Sequence, residues 1–176
     1  MIEQRVADGE PGGAGIRWRP VPHAGNDSSA PEEAEVVVDA LAALIGRAWT
    51  DRHGHRRPLT ARDIIVVAPY NLQVAAIESA ARSRGIESWV GTVDKFQGQE
   101  GAVAIYSMTS SSAEDAPRGT DFLYERNRLN VAISRARGLA ILVASPELLR
   151  VHCRTPDQMK KANALCAYLE MAKTAN

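Results

Sequence analysis

Arginine is concentrated in one stretch of this sequence, residues 126–137, where it recurs among apolar residues. Read as a helix, the stretch places four apolar side chains on one stripe: Leu129, Ala132, Ile133 and Ala136. Two pairs of arginines flank that stripe, one pair on each side: Arg128 with Arg135, and Arg126 with Arg137. A guanidinium is planar, always charged and able to bind two oxygens at once, so such a helix suits phosphate binding. The alternative is a solvated amphipathic helix whose arginines only cover apolar surface.

A second polar stretch, residues 91–100, lies directly before an apolar run. Its sequence is Gly91-Thr92-Val93-Asp94-Lys95-Phe96-Gln97-Gly98-Gln99-Glu100. A threonine hydroxyl and backbone N–H groups suit phosphate oxygens and are blind to base sequence. Gly98 allows backbone to approach a ligand without an intervening Cβ. Plainer interpretations remain open, with Lys95 pointing to solvent and Glu100 paired with an arginine of the other stretch.

Both stretches must be positioned by the elements around them. Four apolar runs, rich in β-branched residues, predict strands at 63–68, 88–93, 102–108 and 139–144. Helical periodicity predicts helices at 31–49, 70–85, 122–137 and 157–173, with charged loops at 51–59, 94–100 and 110–119. Continuous apolar strands are typical of a parallel sheet covered on both faces. The alternation of strands and helices therefore predicts an α/β fold with a parallel sheet flanked by helices.

The polar residues Tyr70, Asn71 and Gln73 follow the first of these strands. They mark the carboxyl end of that strand, which is where open α/β sheets bind ligands. Turn chemistry alone also explains an asparagine at this position.

The first 30 residues differ in composition from the rest, being rich in Gly, Pro, Asp and Ser. We expect residues 1–30 to be a flexible segment with a possible edge strand at 16–21, and residues 31–176 to be one domain. A capping box at Ser29–Glu32 is expected to open the first helix. The glycines at 12–15 predict a link and not a phosphate loop, because no Gly-Lys pair occurs anywhere in the chain.

Charge and cysteine content exclude some classes of function. The net charge is zero, so any binding of nucleic acid must come from local patches. Cys153 and Cys166 lack metal-ligand spacing, and no metal site is predicted. Reduced cysteines, no apolar run long enough to cross a membrane and no signal-peptide pattern together predict a cytoplasmic protein.

The stretches 92–100 and 128–137 resemble motifs V and VI of superfamily-one helicases, in particular the nonsense-decay branch. They are also similar to bacterial relatives that carry a RecB-like nuclease. A third match, residues 67–73, resembles motif IVa. The resemblance implies an α/β RecA-like (P-loop NTPase type) domain that lacks its own P-loop. In such helicases ATP and Mg²⁺ lie between two RecA-like domains, and all three motifs belong to the second of them.

The resemblance also implies roles for individual residues. Arg135 matches the arginine that reaches the γ-phosphate and is the expected catalytic residue. The expected nucleotide-binding residues are Gln97, Gly98, Glu100, Arg135 and Arg137. The expected contacts to single-stranded nucleic acid are Tyr70, Asn71, Gln73, Thr92, Asp94 and Lys95. For Arg137, a structural ion pair is an equally good interpretation.

Two functional hypotheses follow. In the first, the chain is the C-terminal half of an ATP-dependent DNA or RNA helicase, inactive alone because Walker A and Walker B are absent. Its partners are then single-stranded nucleic acid and a first RecA-like domain, with a fused nuclease as an open alternative. In the second, it is a non-catalytic nucleic-acid-binding or interaction module derived from such a domain. The first hypothesis requires Arg135 and Glu100 to converge at the open edge of one sheet.

Overall fold

The computed structural model describes residues 3–96, 98–119, 130, 133–150 and 155–174. Its strands are β1 (Arg5–Val6), β2 (Gly15–Pro20), β3 (Ala48–Thr50), β4 (Arg56–Pro58), β5 (Ile64–Val67), β6 (Trp89–Gly91), β7 (Gly101–Ser107) and β8 (Ala136–Ala144). Its α-helices are α1 (Pro31–Leu44), α2 (Asn71–Ser83) and α3 (Pro156–Thr174). Short 3₁₀ helices cover Ala61–Asp63, Val93–Phe96 and Pro146–Leu149.

Five of the strands form one sheet in the order β2-β8-β7-β5-β6, and every pair in it is parallel. The strands are buried on both faces because alternate residues enter two separate cores. Helices α1 and α2 cover one face, where they meet Ile64, Val66 and Ile105. Helix α3 and the 3₁₀ helix at 146–149 cover the other face, near Leu142. The predicted parallel α/β, RecA-like architecture is confirmed.

A second, antiparallel sheet in the order β1-β3-β4 was not predicted. The sequence indicated a helix to residue 49 and a charged loop at 51–59, and both predictions were wrong. Helix α1 ends at Leu44, and Gly46 then takes a positive φ of 86°, which places Trp49 in β3. This small sheet lies against the start of β8. The Trp49 ring is so close to Gly138 that a Cβ there would stand 2.6 Å from it.

The expected capping box at the start of α1 is also absent. The helix begins at Pro31 as predicted, but its N-cap is Ala30, which offers no side-chain hydrogen bond. A side chain from α2 takes that role, since Gln73 Oε1 accepts a 2.7 Å hydrogen bond from the Ala30 amide. A contact between distant segments therefore replaced the local one.

The arginine-rich helix ends earlier than the periodicity predicted. Ile133 and Ser134 are helical, but Ala136 and Arg137 already belong to β8. The reason is pairing within the sheet, because Gly101 of β7 lies opposite Ala136. Ala136 therefore leaves the predicted apolar stripe, and Arg137 lies on a strand and not on a helical flank. Arg126, Arg128 and most of the predicted helix lie outside the described residues.

Candidate nucleotide and nucleic-acid edges

The predicted site residues lie at two opposite edges of the parallel sheet. Glu100 immediately precedes β7, and Arg135 immediately precedes β8. Both therefore lie where the amino ends of the parallel strands meet, which we call the amino edge; the opposite side is the carboxyl edge. Asn71 and Thr92 follow β5 and β6 and lie at the carboxyl edge. At about 3.3 Å per residue, the seven residues of β7 separate the two edges by roughly 20 Å. One rigid sheet therefore carries two separate groups of candidate residues.

At the amino edge, two hydrogen bonds join Arg135 to the residues at 99–101. The Gly101 amide donates to the Arg135 carbonyl at 2.9 Å. The Arg135 guanidinium Nη1 donates to the Gln99 carbonyl at 3.4 Å, and its side chain is partly buried. The last residues before β7 and β8 are thus held side by side, which brings Arg135 and Glu100 to the same edge.

Glu100 also contacts the second arginine of this edge. Arg137 Nη2 donates to the Glu100 carbonyl at 3.3 Å, and Arg137 Nε lies 3.9 Å from Glu100 Oε2. The side chains are 49% and 58% exposed, so this ion pair is a surface pair of small net stability. The structural ion pair, one of the two interpretations of Arg137, is present, and nucleotide binding by Arg137 stays a prediction. It leaves the Glu100 carboxylate accessible to a ligand hydroxyl at little energetic cost.

Gly98 is required at this edge for its backbone conformation. Its φ is 78°, in the left-handed region, where a Cβ is unfavourable. Among the described residues, nothing lies within 4 Å of the place a Cβ would occupy. The described residues therefore leave the space beside Gly98 open. Gln97, the neighbouring candidate, lies outside the described residues.

At the carboxyl edge, the start of α2 divides its candidates between surface and interior. Asn71 is exposed, whereas Tyr70 is buried. Gln73 is fully buried, and its amide nitrogen donates to the Ala30 carbonyl at 3.2 Å and to Ser107 Oγ at 3.0 Å. Gln73 therefore ties α1, α2 and β7 together and presents no surface to a nucleic acid in this structure.

The turn after β6 carries the other carboxyl-edge candidates. Thr92 is partly exposed and Asp94 is exposed. The turn is anchored by Phe96, whose ring packs edge-to-face on Trp89 at 5.3 Å. Lys95 folds back, since its Nζ donates to the Val90 carbonyl at 2.6 Å. The lysine stem passes over Gly91, where a Cβ would collide with Lys95 Cδ. Lys95 thus secures this turn, and Thr92 and Asp94 are the accessible groups.

A buried polar cluster at the carboxyl edge was missed by the sequence reasoning. It centres on Glu33, whose side chain is 0% exposed although it lies on α1. Its carboxylate accepts from Ser107 Oγ at 2.6 Å and from the Thr109 amide at 2.9 Å, and it lies 3.0 Å from His23 Nε2. One signal was available, because Glu33 lies on the same helical stripe as Val37 and Leu44. An acidic residue on an apolar stripe indicates a buried partner.

One pKa at the amino edge is strongly shifted. The Arg57 guanidinium donates two hydrogen bonds to Asp63, at 2.6 and 2.7 Å, and lowers the pKa of that carboxyl to about 2. The Asp63 carbonyl in turn abuts Gly101, where a Cβ would be 2.7 Å from it.

Among the described residues, no group of three or more His, Cys, Asp or Glu is placed to hold a metal ion. Within the same part of the chain, no helix is both long and apolar enough to cross a membrane.

The chain is similar to proteins that are already known. The model of the family described as AAA domain matches residues 20–147, more than half of the chain. The chain is 47% identical over 79 residues to the DNA polymerase alpha-associated DNA helicase A of Schizosaccharomyces pombe, covering 45% of the chain and 12% of that protein. It is 39% identical over 130 residues to the putative helicase mov-10-B.1 of Danio rerio, covering 67% of the chain and 12% of that protein.

A further relative is the probable RNA helicase armi of Drosophila melanogaster. It is 36% identical over 102 residues, which cover 55% of the chain and 9% of that protein. The chain therefore spans about a tenth of the length of the curated relatives it matches. The similarity is to one segment of each helicase.

Proposed function

We propose a function for this chain, which belongs to the AAA domain family: it is the second RecA-like domain of a superfamily-one, ATP-dependent helicase. In this role its amino edge completes the nucleotide cleft, and its carboxyl edge forms part of the groove for single-stranded nucleic acid. The relatives named as helicases support the coarser part of this statement, a helicase-family domain.

One observation carries the proposal. Arg135 and Glu100, which are 35 positions apart, are held at the same edge by the hydrogen bond from Gly101 to Arg135 and by the contact of Arg135 with Gln99. A guanidinium and an accessible carboxylate at the same edge suit a nucleoside triphosphate, one for phosphate oxygens and one for ribose hydroxyls.

The residues present fit ATP as a shared ligand. Arg135 and Arg137 supply cationic donors, Glu100 supplies an acceptor, and the space beside Gly98 is open. The sequence contains no Gly-Lys pair, so the phosphate-cradling loop must come from another domain, which would also hold most of the Mg²⁺ contacts. Bound ATP would bring a phosphoryl group whose charge Arg135 neutralises during transfer. In analogous enzymes an arginine supplied across a cleft contributes about a thousandfold or more in rate.

At the carboxyl edge, the proposed contacts are to the nucleic-acid backbone. Asn71 and Thr92 offer an amide and a hydroxyl at the ends of neighbouring parallel strands, β5 and β6. Such groups suit phosphate oxygens and carry no sequence information. This edge therefore suits translocation along a strand of any sequence.

The experiment is reconstitution. The chain is mixed with a first RecA-like domain from a relative, and ATP hydrolysis is measured with and without single-stranded oligonucleotide. We expect hydrolysis that neither part shows alone, and a fall of about a thousandfold in kcat for Arg135→Ala. Arg82→Ala, which removes an exposed arginine on α2, is the matched control and should leave the rate unchanged.

The results separate the two functional hypotheses. Robust ATPase activity from the chain alone, lost in Arg135→Ala, contradicts a half-site. Tight single-strand binding by the chain alone, with no ATPase in any mixture, favours the non-catalytic binding module instead.

A further inference from the structure

The described turn at residues 108–111 has an unusual backbone. Thr109 has a φ of 74°, and it is the one non-glycine among the described residues with a positive φ. A β-branched residue in this region is a steric outlier, because its Cβ approaches the carbonyl oxygen. Strained residues of this kind persist only where the surrounding structure holds them in place. The Thr109 turn therefore needs a clamp.

Glu33 provides that clamp. Its Oε2 accepts both the Thr109 amide, at 2.9 Å, and the Ser107 hydroxyl, at 2.6 Å, so it binds the chain on both sides of Met108. Glu33, Ser107 and Thr109 are all fully buried. A hydrogen bond to a carboxylate inside a protein is stronger than one between neutral groups, which gives the clamp its strength.

The second carboxylate oxygen is tied to the surface loop at residues 21–30. His23 Nε2 lies 3.0 Å from Glu33 Oε1, and His23 Nδ1 lies 2.7 Å from Ser111 Oγ, which in turn accepts from the Asn26 amide at 2.9 Å. Nε2 is the donor in the first of these contacts, because a carboxylate oxygen only accepts.

The clamp connects to the proposed nucleic-acid edge through Gln73. Gln73 Nε2 donates to the same Ser107 hydroxyl that donates to Glu33, and Gln73 lies two residues after exposed Asn71, within the first turn of α2. The cluster thus joins the start of α2 to the end of β7. One atom of the cluster is unsatisfied, since the buried Thr109 hydroxyl has no hydrogen-bond partner among the residues that the structure describes. Folding alone would favour glycine at position 109, which removes both the strain and the orphan hydroxyl.

We propose that Glu33 is a positioning residue for single-strand binding: by holding the Thr109 turn and Ser107, which binds Gln73, it sets the start of α2, from which Asn71 meets the nucleic acid. The inference rests on the proposed function, because it assigns a purpose to this edge. Glu33 itself touches no ligand and acts through Ser107, Thr109 and Gln73.

The test uses the same reconstituted mixture and two readouts. The oligothymidine concentration that half-saturates ATPase stimulation reports the carboxyl edge, and kcat at saturation reports the amino edge. An oligouridine series is run in parallel. We expect Glu33→Ala to raise the half-saturating concentration roughly tenfold, as loss of a supporting partner does around other sites, with kcat retained. Arg135→Ala should lower kcat and leave the half-saturating concentration unchanged.

Three variants separate positioning from general stability. Val38→Ala shortens a buried side chain on the same helix and should leave the half-saturating concentration unchanged. Glu33→Gln keeps an oxygen for the Thr109 amide and should retain most of the affinity. Thr109→Gly in the Glu33→Ala background should restore it, because glycine takes the turn without strain. If Glu33→Ala does not fold, Glu33→Met fills the space without an acceptor and replaces it.

The outcomes are distinguishable. If Glu33→Ala and Val38→Ala behave alike, or if Thr109→Gly restores nothing, the positioning role is overturned while the proposed function stands. If wild-type mixtures show no stimulation by oligonucleotide, the proposed function fails and the positioning role fails with it.

Discussion

The ion pair between Arg57 and Asp63 makes a stability prediction that is tied to pH. The pKa of Asp63 falls from 3.8 to about 2, chiefly because of the Arg57 hydrogen bonds, with further help from Thr60. At about 1.36 kcal/mol per pKa unit, a shift of nearly two units corresponds to roughly 2.4 kcal/mol of stability. The Asp63 side chain is 14% exposed but Arg57 is 52% exposed, so solvent screening reduces the figure to about 1–2 kcal/mol.

The direction of the pH dependence of stability follows from the lowered pKa of Asp63. A carboxyl whose pKa is lowered by folding contributes its full stability above its unfolded pKa, near 3.8, and loses it as the pH falls towards about 2. We therefore expect Asp63→Asn to lower the free energy of unfolding by about 1–2 kcal/mol at neutral pH. The gap between the variant and the wild type should close between about pH 4 and pH 2.

Urea unfolding at a series of pH values checks this expectation. Asp39→Asn is the matched control, because Asp39 pairs with Arg84 on the surface and is 65% exposed. That variant should change stability by less than about 1 kcal/mol. A deficit in Asp63→Asn that stays constant from neutral pH down to about pH 2 would refute the ion-pair reasoning, since only an ionised Asp63 can supply it.

Two further predictions concern packing around the edges. Gln73→Leu leaves the Ala30 amide without its partner, so we expect the free energy of unfolding to fall by about 1–3 kcal/mol, measured by urea unfolding. A Gln73→Leu protein as stable as the wild type would argue against the capping role. Gly138→Ala sets a Cβ 2.6 Å from the Trp49 ring, so we expect about 1–3 kcal/mol of destabilisation and a shift in tryptophan emission. Unchanged emission would show that the small sheet does not lie against β8.

The periodic and apolar patterns predicted most of the main sheet. Strands β5, β7 and β8 coincide with the continuous apolar runs, because burial on both faces requires every residue to be apolar. The edge strand β2 also lies where alternation indicated. The predicted division of the chain at residue 30 stays a prediction. The β1-β3-β4 sheet escaped notice because its strands are two or three residues long and carry no period.

The sequence identified the candidate residues by their chemical type, whereas only the folded structure shows which of them lie together. Arg135 and Glu100 were expected at one sheet edge, and they lie there. The polar residues that follow the first buried strand indicated a site at the carboxyl ends of the strands, whereas this pair lies at the amino ends. Gln73 was expected to face nucleic acid and is buried, because its side chain supplies the hydrogen bonds that the start of α1 lacks.

What the sequence by itself determined was the layering of this protein, since solvent exclusion depends on which residues are apolar and how they are spaced. Tertiary structure alone decided where the arginine-rich helix stops, which side chain caps α1 and how Glu33 holds Thr109. The physical reason is that hydrogen bonds and ion pairs join groups far apart in the chain. Their partners are selected by the geometry of the folded sheet and leave no period in the sequence.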